Sequence, residues 1–284
     1  MKRLVKEFLL TVATVVLLSA ITAPVRAQTA AHQRVGVETK DSFEVTIGTS
    51  LEISRSDTTK TKGVEIDPTI SIDLLFGRRF GLSFDVPGVV WIATGREAVP
   101  RAAGALGDPE VMASYTFRLA DWRLSAGLAY AHPLGIWNYY EAMEKQIVSG
   151  SGYPKLGLSL SAIRYLDPLV AGVSLRADTC FARTERSGDT STKPLILTAN
   201  AFATEALNDV VALSVGLSPK LSWPRYLNGV PDESGITYSL TGSAFFVFSE
   251  RNRTLRVGVS KFLSDYTSPV AFDFGFAYTF RKKE

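Results

Sequence analysis

The 284-residue sequence predicts an all-β protein, specifically a transmembrane antiparallel up-and-down β-barrel of about twelve strands. Two observations carry this prediction: apolar and polar residues alternate in segments of about ten to fourteen residues, and the connections alternate between short and long. Strands of soluble sheets average roughly 5–6 residues, whereas about 9–11 residues cross a bilayer at a tilt. The ladder must close, because lipid cannot satisfy an open strand edge.

The alternation is clear from the first segment onward. Phe43, Val45 and Ile47 are separated by Glu44 and Thr46, which is the period of two that places apolar side chains on one face of a strand. The same rhythm predicts strands at 42–54, 63–76, 80–91, 109–119, 122–133, 155–166, 168–181, 194–204, 210–222, 236–248, 254–263 and 270–280.

The connections predict the orientation. Tight turns fall at 77–79, 120–121, 166–168, 205–209 and 249–253, and longer loops at 55–62, 92–108, 134–154, 182–193, 223–235 and 264–269. Short periplasmic turns and long extracellular loops are typical of bacterial outer-membrane barrels. An even number of strands leaves both termini in the periplasm.

The N-terminus predicts export. Lys2, Arg3 and Lys6 precede an uncharged apolar run at 8–23, and small residues at Val25 and Ala27 frame a cleavage site. This pattern is typical of a secretory signal peptide at 1–27, because the run is shorter than the roughly 20 residues of a spanning helix. A short periplasmic segment is expected at 28–41 and the barrel domain at 42–284, in the bacterial outer membrane.

Composition excludes several function classes. After removal of residues 1–27, the chain keeps 27 basic and 27 acidic residues, so no excess of positive charge points to nucleic acid. Cys180 is the only cysteine, which excludes an internal disulfide, and two histidines offer little for a metal site. No cofactor is predicted.

A soluble secreted β-sandwich or lipocalin-like barrel is the alternative fold, but it would point bulky apolar residues inward. The polar faces here are small and hydrophilic, which favours a water-filled lumen: Gly127, Gly157, Ser159, Ser161, Gly172, Ser174, Ser214, Gly216, Ser239 and Ser243.

The last strand resembles the C-terminal signal that the barrel-assembly machinery reads. Asp273–Phe280 has a glycine at 275 and aromatic residues at 278 and 280, although 281–284 follow where most such proteins end. Aromatic residues near other strand ends are expected at the lipid interfaces: Trp91, Trp122, Tyr130, Tyr153, Trp223, Phe246, Phe248, Tyr278 and Phe280.

If the apolar faces meet lipid, charged side chains line the lumen. Acids are predicted on the first four strands and bases on later ones, and the predicted pore-lining set is Glu52, Glu65, Asp67, Asp73, Asp85, Glu110, Arg123, Arg164, Arg176, Lys220 and Arg256. Opposed walls of charge would orient dipolar solutes. Equally, the charges could pair across the lumen and brace or close it.

Two further features concern the outer mouth. Trp137, Tyr139 and Tyr140 in the longest loop suggest either an aromatic capture site or ordinary packing at the interface. His132 falls near a strand end where rim enzymes carry a catalytic histidine, but Leu134 stands where a serine is needed. The sequence therefore predicts no enzyme.

Several short motifs resemble a known family. Gly104–Asp108 precedes a strand pair that ends in Pro133-Leu134-Gly135, and 150–152 read Gly-Ser-Gly. These residues resemble the outer-membrane transporter-like family associated with phenol meta-degradation, although Ala105 and Leu134 depart from its Gly-x-Gly-Asp and Pro-Thr-Gly elements. The resemblance covers about 65 residues and implies a channel for small, often apolar or aromatic, compounds. Gly107 and Asp108 are expected to position the loop at the mouth.

The sequence thus predicts an outer-membrane channel for passive diffusion of small solutes, with apolar or aromatic compounds as the candidate solutes and with lipid and a small-molecule solute as partners. The alternative is a structural or surface-interaction barrel with a closed lumen and functional loops. The oligomeric state is not predicted.

Overall fold

The computed structural model describes residues 43–57, 62–77, 79–93, 102–134, 152–184, 188–231, 235–250, 252–264 and 270–281. The predicted signal peptide at 1–27, the segment at 28–41 and the mouth residues Trp137, Tyr139 and Tyr140 lie outside the described residues. Among the described residues, no helix is long and apolar enough to cross a membrane.

Twelve antiparallel strands form one closed sheet, which confirms the predicted fold. Each strand pairs with its neighbours in the chain, and Glu44–Ile53 of the first strand pairs with Phe272–Arg281 of the last, so the ladder closes. Ala102–Leu106 is paired on one side only, with β3. The strands are β1 Phe43–Asp57, β2 Lys62–Phe76, β3 Phe80–Ala93, β4 in two segments (Ala102–Leu106 and Glu110–Leu119), β5 Trp122–Ala131, β6 Lys155–Leu166, β7 Leu169–Cys180, β8 Ile196–Ala206, β9 Val211–Ser222, β10 Thr237–Glu250, β11 Arg253–Phe262 and β12 Val270–Arg281.

The alternation places apolar side chains outside. On β6, Leu158 and Leu160 are 56% and 53% exposed on the outer face, while Gly157 and Ser159 between them face inward. The buried apolar residues of the described chain are mostly small: Val89, Ala129, Ala131, Tyr153, Cys180, Ala212, Val247, Ala271 and Ala277. A soluble barrel would fill its interior with bulky apolar side chains, so the outer apolar face is the one that meets lipid.

The fourth strand differs from its predicted bounds. The loop expected at 92–108 ends early, because Ala102–Leu106 pairs with β3 through Gly88–Ile92. Below it, Glu110 pairs with Asp85. Three residues, Gly107-Asp108-Pro109, therefore oppose two residues of β3, which is a β-bulge; the Gly107 amide donates to the Pro87 carbonyl at 2.7 Å. A bulge breaks the period of two, and for this reason the alternation did not reveal the upper segment.

The loops predicted at 182–193 and 223–235 also contain strands. Arg183–Thr184, Thr190–Thr192, Tyr226–Leu227 and Val230–Pro231 form a separate four-stranded sheet, called here the mouth sheet, at the extracellular end. Asn228 and Gly229, both at positive φ, make its tight hairpin. An Asn-Gly pair is a strong hairpin signal, so this turn was visible in the sequence.

The aromatic residues divide into two groups. Trp122, Tyr130, Phe246, Phe248 and Phe280 are exposed on the outer face near strand ends. Trp91, in contrast, pairs with Glu65 and therefore points into the lumen, and Tyr153 is buried. The expectation that Trp91 and Tyr153 face lipid is wrong, because the first follows the parity of β3 and the second packs under the mouth sheet.

Candidate functional site: the charged lumen

The strand register shows which predicted residues face the lumen. Residues paired across a ladder share a face, and one continuous inner face carries ten of the eleven predicted charges: Glu52, Glu65, Asp67, Asp73, Asp85, Glu110, Arg123, Arg176, Lys220 and Arg256. The acids lie on β1–β4, and most of the bases lie on β5–β9.

Arg164 is the exception, and its predicted lumen position is wrong. It pairs with Trp122, whose indole is on the outer face, and its guanidinium carbon lies 5.6 Å from the centre of that ring. Near the end of β6 the usual pattern is reversed: Ile163 and Tyr165 face the lumen, and Arg164 between them faces outward. The cation–π contact and the periplasmic interface compensate for the charge.

The main ion-pair network of the lumen, called here the clamp, joins Glu110, Arg176 and Asp178. Arg176 donates from Nη1 and Nη2 to the two carboxylate oxygens of Glu110 at 2.8 and 2.7 Å. Its Nε donates to both oxygens of Asp178 at 2.8 and 2.9 Å. These side chains are 12–21% exposed. Such bidentate, charge-assisted bonds hold the guanidinium in one orientation.

The clamp crosses two strands. Glu110 is on β4 and Arg176 on β7, and the inner face between them carries Ala129, Ala131, Lys155, Gly157 and Ser159. A Cβ on Gly157 would collide with Asp178 Oδ1 and lie 3.0 Å from Arg176 Nη2. The small residues therefore provide the space in which the ion pairs lie in front of the wall.

A second group of charges, called here the acidic row, lies side by side on three adjacent strands. Glu52 pairs directly with Asp67 on β2 and with Asp273 on β12. Like charges in direct register repel one another, and Arg256, which interacts electrostatically with Glu52 and Asp273, offsets part of this repulsion. From the sequence, Asp273 is expected only in the assembly signal; its lumen neighbours become evident when β12 closes on β1.

The acidic row and the clamp lie at a similar level of the barrel. From Glu110 the ladder descends through Asp85 and Ser71 to Gly48. With strands about 4.8 Å apart and tilted by roughly 40°, each ladder step lowers the level by about 3 Å and each residue along a strand changes it by about 2.5 Å. Glu52, four residues above Gly48, therefore returns to within a few ångström of Glu110. In a twelve-stranded barrel β1 lies opposite β7, so Arg176 faces Glu52 across the lumen, while Glu110 on β4 lies two strands from Asp67.

Arg256 lies below the acidic row and is held by an aromatic ring. Its guanidinium carbon lies 3.9 Å from the centre of the Phe245 ring. That ring covers Gly258 on the next strand, where a Cβ would collide with the ring and with the Ala244 carbonyl oxygen. Aromatic side chains that cover glycines in this way are typical of curved sheets.

Toward the periplasmic half of the lumen, hydroxyl groups on adjacent strands bond to one another. The pairs are Thr46 with Thr279 at 3.0 Å, Thr116 with Ser125 at 2.8 Å, Thr204 with Ser214 at 2.9 Å and Ser249 with Thr254 at 3.1 Å. These short side chains satisfy each other along the wall and project little into the lumen. Among the described residues, no group of three or more His, Cys, Asp and Glu is arranged to hold a metal ion.

Gly107 and Asp108 connect the bulge to the outer loops. The buried Asp108 carboxylate accepts the Gly152 amide at 3.1 Å, and Gly152 has a positive φ. The next residue, Tyr153, bonds to the Ser191 hydroxyl of the mouth sheet, and the Arg183 guanidinium carbon lies 4.2 Å from the centre of its ring. Asp108 therefore links β4 to the mouth sheet.

Replacing Asp108 tests this link. In Asp108→Ala the buried Gly152 amide loses its acceptor, which is expected to lower the free energy of unfolding by about 1–3 kcal/mol. Asp108→Asn keeps an acceptor oxygen and should lose less. Asp121→Ala, in the exposed β4–β5 turn, is the control; denaturant titration of the refolded protein in detergent micelles measures all three. An Asp108→Ala loss no larger than that of Asp121→Ala would show that the link contributes nothing.

The closed ladder, the apolar outer face and the polar lumen define a β-barrel of the bacterial outer membrane. The chain is similar in structure to an outer-membrane channel from Pseudomonas putida F1, with a TM-score of 0.69, 13% identity, and 86% of this chain and 97% of that chain covered. It is also similar to the NanC porin, with a TM-score of 0.53, 10% identity, and 81% and 98% covered.

No protein-family model matches the chain, and no curated protein matches it in sequence. At such low identities the structural likeness shows the fold alone. The resemblance to the phenol meta-degradation family therefore stays a prediction.

Proposed function

We propose that the protein is a channel for passive diffusion of small solutes across the outer membrane. The observation that carries this proposal is the lumen: most inward-facing side chains are small, hydroxyl or charged, and most of the large apolar side chains face out. A few aromatic side chains, such as Trp91 and Phe245, also face inward. Acids on one side of the outer half and Lys155 and Lys220 on the other support orientation of a dipolar solute in transit.

A finer proposal concerns small aromatic or apolar cargo. It is supported by Trp91, which faces the lumen near its outer end and, like Ala105, packs against Val89. Gly63 leaves room for the indole, whose Cε2 would lie 2.7 Å from a Cβ at that position. A flat apolar surface at the entrance could hold an aromatic ring.

Conductance tests the channel proposal. Refolded protein in a planar bilayer is expected to give discrete single-channel steps, and proteoliposomes are expected to swell in isotonic solutions of small neutral solutes. Empty liposomes and heat-unfolded protein are the controls. Folded protein without conductance or swelling would contradict the proposal and favour the closed structural barrel, in which the clamp braces the wall.

The proposal gives His132 no catalytic role. Its Nδ1 lies 3.3 Å from the Tyr130 hydroxyl, and both side chains are exposed on the outer face of β5 and its end. This contact is typical of a residue at the lipid interface.

A further inference from the structure

We infer that the clamp sets the size limit of the channel, with Arg176 and Glu110 as the residues that determine which solutes pass. This inference rests on the proposed function and deepens it, since it names the part of the lumen that selects. It concerns the contact between Arg176 and Glu110 and not their charges.

The side chains of Arg176 and Glu110 reach across the wall between β7 and β4. Residues three strands apart are separated by about 14 Å along the wall. Arg176 and Glu110 nevertheless bond directly through two contacts of 2.7 and 2.8 Å. Their side chains must therefore extend toward each other in front of β5 and β6, where they occupy lumen space that the small residues of these strands leave free.

The clamp is held in place from both ends. Asp178, two residues along β7, fixes Nε of Arg176, and Gly157 lies directly behind the guanidinium. A guanidinium with bidentate bonds on two sides has lost the rotamer freedom that a long solvated side chain keeps. A fixed obstruction defines a size limit, whereas a mobile side chain would yield to the solute.

The wall opposite the clamp carries acidic side chains. The acidic row on β12, β1 and β2 faces the Arg176 end of the clamp at about the same level, so a solute passes between two surfaces that both carry carboxylates. These acids have shorter side chains than Arg176. Of the two surfaces, the clamp therefore carries the longer side chain.

Two variants with opposite changes of charge separate size from electrostatics. Arg176→Ala removes a positive charge, and Glu110→Ala removes a negative one, but both abolish the crossing contact. In Glu110→Ala, Asp178 still holds Arg176 on β7. Both variants are expected to raise single-channel conductance. In a size series of neutral solutes from glycerol through glucose and sucrose to raffinose, both are expected to admit solutes that the wild type excludes.

Matched controls make the same chemical changes elsewhere on the inner face. Arg118→Ala and Glu44→Ala, toward the periplasmic ends of β4 and β1, should leave the size limit unchanged. Gly157→Ala tests the opposite direction: its Cβ displaces the clamp toward the lumen axis, so conductance should fall. Heat-modifiable gel mobility confirms that each variant is folded, and only folded samples are compared.

The outcomes distinguish the two proposals. A wild type that neither conducts nor swells contradicts the proposed function. A conducting wild type whose Arg176→Ala and Glu110→Ala variants keep its size limit overturns the inference and leaves the channel intact. Opposite shifts of conductance in these two variants also overturn it, because charge would then account for the effect.

Discussion

Leu160→Arg is expected to lower the free energy of unfolding by about 2–4 kcal/mol, the cost of an arginine on the lipid face at the bilayer midplane. Leu160 is 53% exposed on the outer face of β6 and pairs with Ala126 and Leu175. It lies six residues above the last residue of its strand, or about 15 Å above the periplasmic turn. Little polar surface lies within reach there, so the guanidinium meets hydrocarbon.

The neighbouring residue provides a matched control. Ser161 faces the lumen, and the facing residues on both adjacent strands are also serines, Ser125 and Ser174. Ser161→Arg introduces the same side chain one residue away but into the polar interior, so stability should change much less and conductance should fall. Equilibrium refolding into lipid vesicles measures both variants. Equal losses of stability would mean that the two faces are assigned wrongly.

Gly258→Ala is expected to cost about 1–3 kcal/mol, the range for overpacking a well-filled site. The added methyl group would collide with the Ala244 carbonyl oxygen, which is backbone and moves only with its strand, and with the Phe245 ring. The ring can move only by losing its contact with Arg256, 3.9 Å away. Neither relief is available without disturbing β10 or the lumen charges.

Gly275→Ala on the adjacent strand is the control for Gly258→Ala. Gly275 also faces the lumen and pairs with Arg256, but its nearest contact would be Arg256 Cβ at an ordinary 3.6 Å. Its cost should be only a few tenths of a kcal/mol. Thermal or denaturant unfolding in micelles compares the two. Equal losses would show that loss of glycine in a strand, and not the collision, accounts for the effect.

Local pattern predicted the barrel because each strand carries its own signal. On β6 the alternation of Leu156, Leu158 and Leu160 with glycine and serine identifies the strand, its length and both of its faces. The strand order then follows from short connections between antiparallel neighbours. The closure of β12 on β1 follows from the requirement that lipid leave no edge unpaired.

Local pattern failed where residues far apart in the sequence decide the outcome. It assigned Arg176 and Glu110 to the lumen, but their contact depends on three ladders and on Gly157 between them, none of which is visible in either segment. Arg164 was misplaced because a charge near a strand end can face lipid when an aromatic ring such as Trp122 covers it. Trp91 faces the lumen because of its position in the alternation of β3, although an aromatic residue near a strand end favours the lipid interface.

The bulge at Gly107-Asp108-Pro109 has a consequence for how this chain can diversify. A one-residue slip in a strand normally turns every side chain beyond it to the opposite face. Here the slip is already built in and confined to one place, with Ala102–Leu106 above it and the membrane-embedded Glu110–Leu119 below it. Loss or gain of single residues above Gly107 can therefore reshape the outer rim while the register of the lipid-facing wall stays the same.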